Sequence, residues 1–86
     1  MTIWKYVLTT CEEQTIAMPR GAEILALQIQ GGLPCIWAEV NPERPLEDKY
    51  FITCGTGFAL KARANKYVGT YQLTGDGTVF HVFEEA

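Results

Sequence analysis

The stretch that decides the fold is "EILALQIQGGLPCIWAEV", residues 23–40. The side chains of residues 23–30 follow a period of two, as in a β-strand. "CIWAEV" at 35–40 is a second segment with the composition of a β-strand. Two adjacent glycines stand between the runs, and glycine readily adopts the positive φ that a tight turn requires. The stretch therefore predicts a β-hairpin. Strict alternation in its first strand predicts one face with Leu25, Leu27 and Ile29 and an opposite face with Ile24, Ala26, Gln28 and Gln30.

Further predicted strands, turns and a loop lie before and after this hairpin. "NPERPLED" at 41–48 contains two prolines and four charged residues, which predicts an exposed loop. Further along, Gly75-Asp76-Gly77 separates two β-type runs and predicts a second hairpin. The other predicted strands are 2–9, 14–19, 49–54, 67–74 and 78–84.

This pattern indicates an all-β fold in a single domain that covers residues 1–86. Six or seven short antiparallel strands separated by turn residues are typical of a small sandwich or a partly closed barrel, and the sequence leaves both open. No segment keeps a helical period of 3.6 residues. We expect at most one short helical turn, for which 57–65 is the candidate.

Charge and hydropathy exclude several classes of protein. Ten acidic residues oppose seven basic ones, and the net charge is −3 with the histidine neutral. Nucleic-acid binding normally requires a basic surface, so we expect no nucleic-acid partner. No apolar run reaches the roughly twenty residues of a membrane span, and "MTIWKYVLTT" is not organised as a signal peptide. We expect no membrane partner and a location in the cytoplasm.

Catalytic groups are scarce in this sequence. It contains no serine, and His81 is its one histidine, on a strand face shared with Val79 and Phe83. A histidine on such a face is most often a hydrogen-bonded core residue, and the alternative for His81 is a ligand-binding or acid–base role. The cysteines are odd in number and lack the close spacing of a zinc site or a disulfide framework: Cys11, Cys35 and Cys54. We therefore expect reduced thiols and a non-catalytic protein without metal or cofactor.

The segment "CGTGFALKAR", residues 54–63, is the best candidate for binding an anion. Its Gly-Thr-Gly sequence can present successive backbone N–H groups, and three of the seven cationic residues follow it within a span of six residues, 61–66. The alternative is a glycine turn that ends a strand, followed by solvated lysines. The candidate residues are Gly55, Thr56, Gly57, Lys61, Arg63 and Lys66.

Two residues of the hairpin could complete such a ligand site. Trp37 could stack on a base or sugar, and Gln28 could line a polar pocket. The alternatives are a core position for Trp37 and a solvent-facing strand position for Gln28. A nucleotide-sized pocket would consume much of the core of so short a chain, so we expect a homo-oligomer with the pocket between protomers.

Six stretches in this order resemble a family of short bacteriophage and prophage proteins that is known as a domain of unknown function. Family members have a histidine after Gly-Thr-Gly, where this chain has Phe58, so no role of that histidine carries over. The stretches are "IWKY" (3–6), "QTIAMPRGAEIL" (14–25), "QIQGGLPCIWAEV" (28–40), "CGTG" (54–57), "YVGTYQ" (67–72) and "VFHVFE" (79–84).

The resemblance implies a viral protein that acts in the cytoplasm of a bacterial host. We expect an anti-defence protein that binds and sequesters a small anionic, nucleotide-like molecule of immune signalling. One alternative is a protein–protein inhibitor of a host defence enzyme, such as a CRISPR nuclease, acting through an acidic surface or an exposed sheet edge. Another is an accessory protein of the virion or its assembly.

Overall fold

The computed structural model describes residues 1–75 and 77–85. It confirms an all-β fold with seven strands, arranged as two antiparallel sheets. One sheet has three strands in the order β1-β4-β3, and the other has four in the order β2-β5-β7-β6. The strands are β1 (Thr2–Val7), β2 (Glu13–Pro19), β3 (Glu23–Gln30), β4 (Leu33–Val40), β5 (Leu46–Gly55), β6 (Lys66–Gln72) and β7 (Val79–Glu85).

The hairpin at 23–40 is confirmed as β3 and β4. Gln30 pairs with Leu33, so only Gly31 and Gly32 form the loop, with φ of 59° and 80°. Two positive φ values in a two-residue loop are the requirement of a type I′ turn, whose twist matches that of the strands it joins. Glycine meets this requirement without steric strain.

The predicted alternation along β3 is wrong at its start. The pairing of β3 with β4 shifts between Ile24 and Ala26, which is a β-bulge at Leu25. After the bulge, Leu27 packs against the core in register with buried Ile36, and Ile29 lies on the same face in register with Pro34 but is 40% exposed. Ile24 also faces inward, opposite Ala38, whereas Ala26, Gln28 and Gln30 face outward.

The later part of the chain contains the second predicted hairpin. β6 and β7 pair antiparallel, and Gly75 and Gly77 have positive φ of 118° and 76°. Asp76, which the sequence placed in this turn, lies outside the described residues. The predicted loop at 41–48 ends earlier than expected, because Leu46 to Asp48 pair with β2. The region 57–65 contains turns and no helix among the described residues.

The core lies between the two sheets, which makes the fold a sandwich. Its edge strands β3 and β6 touch, and a Cβ built on Gly69 would lie 3.0 Å from Leu27. This contact closes one side of the sandwich. No helix long and apolar enough to cross a membrane occurs in the part of the chain that is described. The largest fully buried side chains are Phe51, Met18, Ile36, Val40 and Val82.

Candidate functional site

The Gly-Thr-Gly segment forms a turn at the end of β5. The Phe58 N–H donates to Gly55 O at 3.1 Å, and Gly57 has a φ of 90°. A positive φ at the third residue is the mark of a type II turn and favours glycine there. The Thr56 N–H donates to Val79 O at 3.1 Å and so extends the pairing with β7. The N–H groups of Thr56 and Phe58 are therefore used within the fold.

Residues 57–65, which we call the strap, fold back over the outer face of the four-stranded sheet. Cys54 is on this outer face, since it pairs with His81 beside the inward-facing Thr53 and Val82. The Cys54 Sγ lies 3.4 Å from Phe58 O and 3.6 Å from Ala59 O. The first residues of the strap thus cover the end of β5.

Ion pairs fasten the middle of the strap to the sheet. Lys61 Nζ lies 2.8 Å from a carboxylate oxygen of Glu13 and 3.2 Å from one of Glu12. Arg63 donates to Glu13 and lies 3.4 Å from Glu85. Hydrogen bonds from Lys61 and Arg63 lower the pKa of Glu13, and Glu13 in turn raises the pKa values of both cations. The two cations predicted to bind an anion are therefore neutralised by the protein's own carboxylates.

Lys66 lies on the other side of the same sheet. It is in register with Glu84, which faces inward beside Phe51. Glu84 is buried, and its carboxylate lies 3.1 Å from Lys49 Nζ and 3.6 Å from Lys66 Nζ. Buried carboxylates require such partners, because the charge has lost its water. The cationic cluster of the sequence is thus divided between two faces.

His81 is held by two threonine hydroxyl groups. Its Nε2 lies 2.6 Å from Thr56 Oγ1, and its Nδ1 lies 3.0 Å from Thr70 Oγ1. Thr70 also binds the Tyr67 hydroxyl. Both ring nitrogens therefore have partners, which fixes the ring between the turn and β6. This agrees with the hydrogen-bonded histidine that the sequence favoured, although the ring lies on the outer face rather than in the core.

A cavity of about 230 Å³ opens between the Gly-Thr-Gly turn, the strap and β7. Its apolar wall consists of Phe58, Leu60 and Phe83, and Thr56 and His81 are on its polar side. Phe58 is 77% exposed, which is a large exposed area for an aromatic ring. We call this space the turn cavity. It combines an apolar surface for a flat ring with a few hydrogen-bonding groups.

A second hollow of about 440 Å³ lies on the same face, on the other side of the strap's ion pairs. Its lining includes Thr15, Tyr50 and Arg63, together with the carboxylates of Glu13 and Glu85. Ile52 of this hollow pairs directly with Phe83 of the turn cavity, so the two spaces are neighbours. The acids here outnumber the single cation that lines the hollow, so it is poorly suited to an anion on its own.

Trp37 and Gln28 lie on the outer face of the three-stranded sheet. Trp37 pairs with Lys5 and Ala26, and Gln28 pairs with Cys35. The core separates this face from the turn cavity, so one chain does not bring them to it. Of the predicted residues, the structure gathers Gly55, Thr56, Gly57, Lys61 and Arg63 on one face and leaves Lys66, Trp37 and Gln28 elsewhere.

Sequence reasoning did not identify the apolar wall of the turn cavity. Alternation in 78–84 does place His81 and Phe83 on one face, and that signal points to the cavity. The acidic pairs at 12–13 and 84–85 are the partners of the three cations in the structure. Nothing in the local sequence shows which acid approaches which base across the sheet.

Comparison with known proteins places this chain in a family. Residues 1–86 match the family described as "Domain of unknown function (DUF7352)". The chain belongs to this family. No curated protein and no solved structure matches the chain significantly. The family description specifies no ligand and no reaction, so a functional argument has to start from the turn cavity and the charges around it.

Proposed function

We propose that this protein is a non-catalytic binding protein that sequesters a small nucleotide-like molecule, with its base in the turn cavity. One observation carries the proposal. The cavity joins an aromatic and aliphatic wall to hydroxyl and imidazole groups that a rigid network holds in place. Few precisely placed polar groups on an apolar lining are typical of small-molecule sites.

The cavity has the dimensions of one ring system. A volume of about 230 Å³ equals that of roughly eight water molecules at ~30 Å³ each. A single nucleobase has a similar number of non-hydrogen atoms. Phe58 and Phe83 offer aromatic surface to such a ring, and stacking on aromatic side chains tolerates any base. Thr56 Oγ1, at the cavity wall, supplies a hydroxyl for the polar edge of the base.

A phosphate attached to the base would meet the strap's cations. Lys61 and Arg63 are exposed enough to exchange a carboxylate partner for a phosphate. Exposed ion pairs contribute little to stability, so this exchange costs little, and Arg binds phosphate with paired hydrogen bonds. Three carboxylates remain nearby, from Glu12, Glu13 and Glu85. They favour a ligand with one phosphate or phosphodiester over a polyphosphate.

The role that we propose for this binding is counter-defence in a bacterial host. The resemblance to short bacteriophage proteins supports this role, since a phage that removes a nucleotide messenger would silence the defence that depends on it. Sequestration needs no catalytic group, which fits a chain without serine whose histidine has both nitrogens occupied.

Calorimetry tests this proposal with a panel of nucleosides, cyclic mononucleotides, cyclic dinucleotides and ADP-ribose. Phe58→Ala and Leu60→Ala remove exposed side chains from the cavity wall, so both variants should fold. Each should weaken binding by about tenfold or more, the loss of ~1.4 kcal/mol of contact energy. Leu46→Ala is the matched control, because Leu46 is equally apolar and exposed but lies at the other end of β5.

Two results would contradict the proposal. Folded protein that gives no heat with any ligand of the panel would exclude nucleotide sequestration. Binding that survives Phe58→Ala and Leu60→Ala as well as it survives Leu46→Ala would place the ligand outside the turn cavity.

A further inference from the structure

The edge strand β1 is the most open edge of the two sheets. It pairs with β4 alone, and five of its six residues are exposed. Its sequence "TIWKYV" contains β-branched and aromatic residues, one charge and no proline. An exposed edge of this kind is a template for another strand, because its unpaired N–H and C=O groups point to solvent.

The other edges are protected in ways that β1 is not. β3 and β6 lie against each other at Leu27 and Gly69. β2 ends at Pro19, and its first residue, Glu13, holds the strap. Proline, charge and covering segments are the usual devices that block edge pairing. Lys5 is the one device of this kind on β1, so among the described strands β1 combines the greatest exposure with the least protection.

We propose that β1 pairs antiparallel with β1 of a second copy of this chain, so that two three-stranded sheets become one of six strands. The composition of β1 favours a second copy as the occupant. A strand with one cation and no acid offers a foreign partner little charge to recognise. Pairing of two copies of β1 about a two-fold axis requires no charge recognition, and it aligns the apolar and aromatic side chains of the two strands.

The single charge of β1 selects the register. Directly opposed residues of an antiparallel pair project to the same face, so the two-fold axis passes through one residue of the strand. β1 runs from Thr2 to Val7, so axes at Trp4 and Lys5 lie on either side of its midpoint and pair the most residues. An axis at Lys5 would oppose two ammonium groups, which is destabilising. An axis at Trp4 opposes the two Trp4 side chains and places Lys5 beside Ile3 of the copy. We assign the axis to Trp4.

The surroundings of β1 favour the same arrangement. Trp4 faces inward at the margin of the sheet but is still 39% exposed, so a second indole could cover it. On the outer face, Ile3 and Val7 are 57% and 50% exposed. Side chains of the copy would reduce both exposures. Apolar area gained in this way adds to the stability of a chain too short to bury a large core.

Sedimentation equilibrium of the full chain tests the pairing between about 1 μM and about 500 μM, a range that covers weak to moderate affinities. We expect a reversible dimer. Two matched variants test the register, since Ile3 is exposed and either should fold. Ile3→Lys places a second cation beside Lys5 of the copy and should weaken the dimer about tenfold or more, whereas Ile3→Glu offers Lys5 of the copy a partner and should retain or tighten the dimer. Residue 3 is in register with Glu39 of its own chain, so both substitutions are made in the background of Glu39→Gln, which removes the repulsion that Ile3→Glu would otherwise meet within the sheet.

The double variant Ile3→Lys with Lys5→Glu restores opposite charges and should recover the dimer. A monomer throughout the concentration range would overturn the proposal. Equal weakening by Ile3→Lys and Ile3→Glu would also overturn it, because only the axis at Trp4 brings residue 3 next to residue 5. The ligand is absent from these measurements, so their outcome is independent of the proposed function.

Discussion

Each face of the four-stranded sheet has a carboxylate bound by two cations, but only one of the two carboxylates is buried. On the inner face, Glu84 is buried between Lys49 and Lys66. On the outer face, Glu13 is bound by Lys61 and Arg63 but remains exposed to solvent. A buried carboxylate depends on its partners for stability, whereas an exposed one can take water instead. The inner set should therefore govern global stability, and the outer set should govern only the strap.

Replacing the buried carboxylate should give the largest effect. Glu84→Ala leaves Lys49 and Lys66 without their shared partner at the margin of the core and should reduce the free energy of unfolding by about 2–4 kcal/mol. Chemical denaturation measures this change. The neighbouring Glu85→Ala, which removes a partner of Arg63 on the outer face, is the control and should change stability by less than about 1 kcal/mol. Equal losses in the two variants would contradict the distinction between the faces.

A second inner-face prediction concerns the contact between β3 and β6. Gly69→Ala should destabilise the fold by about 1–3 kcal/mol, since the new methyl group would lie 3.0 Å from Leu27. Thermal unfolding measures the loss. Leu27→Ala, which shortens the opposing side chain, should lower the free energy of unfolding less in the Gly69→Ala variant than in the original protein. Simple additivity of the two changes would show that the side chains do not meet.

The third prediction is a gain in stability. The Tyr6 hydroxyl is buried and is the one such side-chain atom in the described residues without a hydrogen-bond partner, and burial raises the pKa of Tyr6. Tyr6→Phe removes the unsatisfied group and should stabilise the protein by about 1 kcal/mol. Tyr71→Phe is the matched control and should destabilise it, because the Tyr71 hydroxyl binds Thr10 Oγ1 at 2.8 Å. A loss of stability in Tyr6→Phe would show that its hydroxyl has a partner.

The sequence predicted individual strands and turns better than it predicted the contacts between strands. Period-two patterns and glycine turns are local signals, so the 23–30 strand was predicted with its observed bounds. The bulge at Leu25 was not predictable, because it depends on how β3 pairs with β4. It reverses the face of Ile24 relative to strict alternation.

The candidate site was predicted only in part, because its turn is a local feature of the sequence and its ion pairs are not. Gly55, Thr56 and Gly57 are a contiguous signal and do form one feature, although that feature is a turn. Lys61 and Lys66 are close in sequence, yet a strand begins at Lys66 and sends it to the opposite face. Lys61 pairs with Glu13, almost 50 residues away in the sequence. Such a pair is a property of the fold, and no pattern in the sequence around either residue predicts it.

The smallest expected effect is confined to the strap and depends on pH. Lys61 and Arg63 lower the pKa of Glu13 below its ordinary value of 4.5. The contribution of these pairs is therefore fully present above pH 4.5 and is lost as the pH falls through the lower pKa of the folded state. Hydrogen exchange of the strap amides, corrected for the intrinsic pH dependence, should show opening below pH 4.5 while the amides of β7 stay protected. Glu13→Gln should open the strap at neutral pH to a similar extent and remove most of the pH dependence. A strap that stays closed in Glu13→Gln would mean that the contacts of Cys54 with Phe58 and Ala59 hold it in place. In that case Lys61 and Arg63 could exchange Glu13 for a phosphate without loosening the wall of the turn cavity.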